Sequence, residues 1–113
     1  MHEINFYRTK QGKCQVEEFL DNLSGKIAQK ITWVLKIIEE GNVIPISYFK
    51  KLENTDEIWE VRTRIGSNSY RILCFYGEGK NLILSNSFLK KSQKTPKSEI
   101  KIAERNRKDY FNR

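Results

Sequence analysis

Residues 57–91 read Glu57-Ile-Trp-Glu-Val-Arg-Thr-Arg-Ile-Gly-Ser-Asn-Ser-Tyr-Arg-Ile-Leu-Cys-Phe-Tyr-Gly-Glu-Gly-Lys-Asn-Leu-Ile-Leu-Ser-Asn-Ser-Phe-Leu-Lys-Lys91, and their pattern decides the fold. From Ile58 a period of two separates Trp59, Val61, Thr63 and Ile65 from Ile58, Glu60, Arg62 and Arg64, the mark of a strand with one mostly apolar and one charged face. A Gly-Ser-Asn-Ser loop leads to Tyr70–Tyr76, apolar on both faces except for Arg71, as a central strand should be. An arginine inside such a run is costly unless it is paired or faces a wet cleft. Gly77-Glu-Gly-Lys-Asn81 tolerates positive φ and makes a hairpin connection to a returning strand over Leu82–Leu89. Three strands so linked form an antiparallel meander.

Toward the N-terminus, Tyr48-Phe-Lys-Lys-Leu52 is a short strand or approach segment, preceded by a connection that contains Pro45. Ile27, Ile31, Val34, Leu35 and Ile38 form one stripe of a helix that Ser24 can cap and Gly41 can stop. Val16, Phe19, Leu20 and Leu23 fall at helical spacing just ahead, so the two helices are expected to form a hairpin laid on the sheet. Ile4 and Phe6 alternate with Glu3, Asn5 and Tyr7 in a first strand, at an edge or paired later, that ends in the Thr9-Lys-Gln-Gly turn. With the hairpin on one side, Arg62 and Arg64 are expected on the open side. Beyond the meander, Lys90, Lys91 and Lys94 fill an exit loop. Thr95 is the expected N-cap of a final helix and Pro96 its first residue. Ile100, Ala103 and Tyr110 or Phe111 give that helix an apolar side, and Lys97, Lys101, Arg105 and Lys108 a basic one. The expected class is α+β: an N-terminal strand, a helical hairpin packed on a mainly antiparallel twisted sheet and a C-terminal helix, in one domain over residues 1–113.

The 113 residues carry 21 Lys/Arg against 14 Asp/Glu, a formal charge of +7. Met1 to Asp56 holds 8 of each sign, whereas Glu57 to Arg113 holds 13 cations against 6 anions, so the second half contains the whole excess. A basic excess of this kind favours a polyanionic partner such as nucleic acid, although a basic surface also serves solubility alone. Cys14 and Cys74 form no C-x-x-C pair and there are no clustered histidines, so neither a zinc site nor a disulfide framework is indicated, and no cofactor is expected. Cys74 reads as a small core residue. No signal segment precedes the first strand, and no apolar run approaches the roughly 18 residues needed to span a bilayer. A cytoplasmic protein without a membrane partner is the expectation.

Lys51-Leu-Glu, Ile58-Trp-Glu-Val-Arg62, Ser69-Tyr-Arg-Ile72, Phe88-Leu-Lys-Lys91 and Gln93-Lys-Thr-Pro96 stand ahead of Glu99-Ile and a helix. In that order and spacing the chain resembles the RelE/ParE superfamily of bacterial toxins, and within it the phage-derived HigB-like branch. The resemblance implies a RelE-like microdomain and a type II toxin: a ribosome-dependent, metal-independent mRNA endoribonuclease that inhibits translation. The implied partners are a cognate helix-turn-helix antitoxin of HigA type, the ribosome and mRNA.

Metal-free RNA cleavage needs a 2′-hydroxyl attack on phosphorus, an acceptor for its proton, cations for the phosphoryl oxygens and a proton for the leaving 5′-oxygen. Arg62 and Arg71 are the candidates for phosphate stabilisation, since guanidinium offers a planar fork. The resemblance supports both, because arginines recur in the family at these two places. The plain alternatives are a solvated charge for Arg62 and an ion pair with Glu60 for Arg71. Lys90 and Lys91 stand at the mouth of the same sheet as acid or clamp, since a basic neighbourhood lowers a lysine pKa. Glu60 is either a general base or the counter-ion of the arginines. Lys50, Lys51, Arg64 and Lys94 are candidate RNA contacts, and Phe88 at a strand end is a candidate base-stacking residue. His2, the sole histidine, is placed at a flexible start and offers no acid–base pair. Two other classes remain open: a ParE-like DNA gyrase inhibitor, and a basic nucleic-acid-binding module without catalysis.

Overall fold

A computed structural model describes residues 2–91 and 93–113. The meander is present as β3 (Trp59–Ile65), β4 (Asn68–Tyr76) and β5 (Asn81–Lys90). β2 (Phe49–Lys51) pairs antiparallel with β3 at one edge, and β1 (Glu3–Phe6) pairs parallel with β5 at the other. The sheet order is β1-β5-β4-β3-β2, so β4, with its apolar run, lies at the centre. The turn between β3 and β4 is tighter than the sequence implied: Ile65 is paired with Asn68, and Gly66 takes a φ of 59°, a conformation that costs glycine little.

α1 (Gln15–Asp21) and α2 (Gly25–Glu40) form the expected hairpin, with the Ser24 hydroxyl accepting the Ile27 amide and Gly41 at the end of α2. Val16, Ile31, Val34 and Ile38 bury against Val61, Ile72, Cys74, Leu82 and Leu84 of the sheet. Cys14 and Cys74 are buried free thiols.

The face expected to be open is covered over about half its length. α3 (Lys97–Phe111) lies on it, with Ala103, Ile100 and Tyr110 against Ile58, Leu73, Phe75 and Ile83. Those four residues, Ile58 just ahead of β3 and the other three in β4 and β5, lie on the charged face of the meander and are apolar, so leaving them in water would cost about 1.5–3 kcal/mol for each large side chain. The cations therefore occupy the half of that face beyond the start of the helix. Two further expectations are corrected. Thr95 does not cap α3: Pro96 is the N-cap, without a side-chain cap bond. His2 is not at a loose start. Its Nδ1 lies 3.0 Å from the Ile38 carbonyl and its Nε2 2.7 Å from the Tyr76 hydroxyl. A carbonyl only accepts, so Nδ1 carries the hydrogen and Nε2 accepts from Tyr76.

A β-bulge fixes the seating of α3. Leu73 pairs with Asn86 and Cys74 with Leu84, which leaves Ser85 as an extra residue. As a result consecutive residues both reach the helix. Asn106 donates to Ser85 Oγ at 3.0 Å, and Asn86 Nδ2 donates to the Glu99 carbonyl at 3.1 Å and to Glu99 Oε1 at 2.9 Å. At the far end of α3, the Tyr7 hydroxyl donates to Asp109, which also accepts from Arg113.

Candidate functional site

The strand register assembles the site from residues far apart in sequence. Lys50, Glu60, Leu73 and Asn86 form one cross-strand row, Arg62, Arg71 and Phe88 the next, and Arg64, Ser69 and Lys90 the third. Directly opposed residues stand about 4.5–5.5 Å apart at Cβ, so Arg62 against Arg71 is a repulsive pair unless an anion lies between. Glu60 is that anion. Its Oε1 accepts from Arg62 Nε at 2.9 Å and from Arg71 Nη1 at 2.8 Å, while Oε2 accepts from the Thr95 hydroxyl at 2.5 Å.

Burial grades along this network. The Glu60 side chain has 0% exposure, Arg71 13% and Arg62 26%, so the carboxylate is at the bottom and the guanidinium groups reach solvent. Arg71 Nε donates to Ser69 Oγ at 2.9 Å. Among the described residues no acceptor is bonded to Nη2 of Arg71 or to either terminal nitrogen of Arg62, and none of these nitrogens is a buried orphan. The arrangement leaves donors of two adjacent guanidinium groups available to an oxyanion.

Burial pushes the Glu60 carboxyl up, but the hydrogen bonds from Thr95 and Arg62 and the charges of Arg71 and Arg62 more than offset it, leaving Glu60 below the ordinary carboxylate range. Lys90 is held below the ordinary lysine range by burial and then by Arg71, Arg62 and Lys50, against the pull of Glu60. The same field that would stabilise a phosphate thus eases proton release from Lys90.

The remaining candidates divide. Lys50 shares the platform, opposite Glu60. Phe88 is half-buried next to Arg71 and packs against the cluster under α3. Lys91 is exposed beyond the end of β5. Arg64 ends the platform and also lines a groove with Lys26 and Lys30 of α2. Lys51 is not brought to the site: it is paired with Trp59 on the hairpin face and makes an ion pair with Glu57. Lys94 lines a groove of about 760 Å³ between the β2–β3 turn and α3, together with Lys50, Thr95, Lys97 and Lys101. That groove opens from the platform, since Lys50 and Thr95 belong to both.

Sequence reasoning missed Ser69 and the use made of Thr95. Ser69 was within reach, because two residues before Arg71 on a strand is the same face. Thr95 lies 35 residues from Glu60 and carries no local signal of that contact. Among the described residues no group of three or more His, Cys, Asp or Glu side chains is placed to hold a metal, and no helix is long and apolar enough to cross a membrane.

Residues 18–108 match the family model described as Phage derived protein Gp49-like (DUF891). No curated protein matches the chain.

Proposed function

The chain belongs to the Gp49-like family of phage-derived proteins, a RelE-like, toxin-type family of toxin–antitoxin systems, and from that premise we propose that it is a HigB-like toxin, a ribosome-dependent endoribonuclease that cuts mRNA and halts translation. Its partners in this reading are a HigA-like helix-turn-helix antitoxin, the ribosome and mRNA, all met in the cytoplasm. The observation that supports it most is the pair of mostly buried guanidinium groups, each still reaching solvent, held on one buried carboxylate beside Lys90.

In the proposed reaction the ribose 2′-hydroxyl gives its proton to solvent water as its oxygen bonds to the adjacent phosphorus, the P–O5′ bond breaks with its electron pair going to the 5′-oxygen, and the products are a 2′,3′-cyclic phosphate and a 5′-hydroxyl. Arg62 and Arg71 take up charge on the non-bridging oxygens through the nitrogens that Glu60 leaves open. Lys90 gives its proton to the leaving 5′-oxygen, for which a lowered pKa suits it, and Lys91 adds a second cation at the mouth. Glu60, with both oxygens engaged, serves as the anion that positions the arginines. Lys50, Arg64 and Lys94 contact flanking phosphates, and Phe88 stacks on a base.

Arg71→Ala would open the buried pair with Glu60 and confuse folding with catalysis. Arg71→Lys keeps the charge and removes the planar fork. It is expected to lower mRNA cleavage by about 10²- to 10³-fold, the usual cost of one oxyanion donor, with the circular dichroism spectrum retained. The readout is a map of mRNA 5′ ends after a brief pulse of expression. Clustered cuts inside translated codons for wild type and their loss in Arg71→Lys support the reading. Intact mRNA with gyrase-dependent DNA breaks would replace it by gyrase inhibition, and intact mRNA and DNA by a binding module without catalysis.

A further inference from the structure

Thr95 stands at the junction between the lysine loop and α3, directly ahead of a proline, where a threonine hydroxyl would ordinarily cap the helix. Instead the helix starts without a side-chain cap, and the hydroxyl donates to Glu60. Among the described residues this is the sole donor to Glu60 Oε2, while Oε1 serves both arginines. The two oxygens therefore have separate tasks. One sets the two guanidinium groups against each other, and the other is tied to the chain segment that carries the lysines.

We propose that Thr95 is a positioning residue of the cationic site: its hydroxyl fixes the rotation of the buried Glu60 carboxylate and thereby the spacing of Arg62 and Arg71, and couples that pair to the exit loop. This rests on the endoribonuclease reading for its effect on rate, but not for its effect on geometry. Without the hydroxyl, Oε2 is left in a fully buried position with no donor. The carboxylate then turns so that both oxygens share the arginines, or it takes a proton, and either change moves the guanidinium nitrogens that remain open. The groups around Glu60 that bias this choice are Lys50 on β2, Arg62 on β3, Arg71 and Cys74 on β4, and Lys90 on β5, with Arg64 acting on Arg71.

Two variants separate the hydroxyl from the shape of the side chain. Thr95→Val is isosteric without a donor, and Thr95→Ser keeps the donor. The first measurement uses the purified chain alone: the Nε–H resonances of Arg62 and Arg71 in a nitrogen–proton correlation spectrum. Thr95→Val is expected to shift both, and Thr95→Ser to leave both near their wild-type positions. Unshifted arginine signals in a folded Thr95→Val chain would overturn the proposal. The second measurement is cleavage of mRNA on purified ribosomes as a function of pH. Thr95→Val is expected to lose about 10- to 100-fold in kcat, as small misplacements of reacting groups do, with KM little changed and the acid limb moved to higher pH. Thr95→Ser is expected to restore kcat and the limb. If wild type cleaves and Thr95→Val matches it in rate and pH profile, the positioning role is wrong. If wild type does not cleave at all, the endoribonuclease reading fails, and the arginine resonances still decide the role of Thr95.

Discussion

A carboxylate shut away from water persists as an anion only where donors replace the water, and Glu60 has three: Arg62, Arg71 and Thr95. Arg71 in turn satisfies the two conditions that make an arginine tolerable in a central strand, since it is ion-paired and its outer end meets solvent. Because the folded-state pKa of Glu60 lies below its ordinary value, its contribution to stability is fully present above the unfolded pKa and is lost as pH falls through the folded one. Glu60→Gln is expected to cost about 3 kcal/mol at neutral pH, the low end for breaking a buried pair, because both arginines reach solvent. Urea unfolding at a series of pH values checks this. The wild-type advantage over Glu60→Gln should be largest near neutrality and shrink on the acid side of the carboxylate range. An advantage independent of pH would show that the charge of Glu60 is not what holds the pair. At this scale the sequence showed which charges share a face, since Glu60, Arg62 and Arg64 alternate with Trp59 and Val61. It left two roles for Glu60, because burial depends on α3, which lies on another part of the chain.

Secondary-structure elements were legible wherever one period dominates. The α2 stripe, the Ser24 cap and the Gly41 stop are all local, and each is found where the sequence puts it. The start of α3 departs from the expectation for a reason that is not local: the Thr95 hydroxyl could accept from the helix amides or donate to a carboxylate, and it is turned toward the buried Glu60. The bulge in β5 was equally invisible, since Ser85-Asn-Ser87 reads as ordinary alternation and only the docking of α3 makes both Ser85 and Asn86 turn one way. Asn86→Ala removes two hydrogen bonds from strand to helix and is expected to destabilise the chain by about 1–3 kcal/mol. Amide exchange should report it as faster opening in the first turns of α3 than in β4. A uniform acceleration across both would mean that Asn86 supports the core as a whole and does not hold the helix end.

For the whole molecule, the three layers divide the sheet between two apolar clusters, and the half-face that α3 leaves uncovered becomes the cationic platform. The charge excess of the second half is not spread evenly: Arg62, Arg64, Arg71 and Lys90 converge there, and Lys50 joins them from the edge strand. If this platform takes single-stranded RNA, each phosphate contact contributes about 0.7 to the slope of log affinity against log salt. Lys50→Ala should reduce that slope by about one such contact in anisotropy titrations with a short single-stranded RNA. Lys108→Ala, on the exposed side of α3, should leave it unchanged. Equal losses for the two would mean that RNA meets only the net charge.

The sequence by itself determined the meander, the helical hairpin, the basic second half and the shared face of Glu60, Arg62 and Arg64, because periodicity, turn residues and charge are local properties of the chain. Tertiary structure alone decided that this face is half covered, that Glu60 is buried under three donors, that Thr95 serves it, that Lys51 faces away and that His2 is anchored to Tyr76 and Ile38. Each of these depends on which distant surface packs on which. The free energy of a buried charge is set by what surrounds it in space, so the stretch from Glu57 to Lys91 supplies the cations of the site and α3, arriving last in the chain, sets their environment.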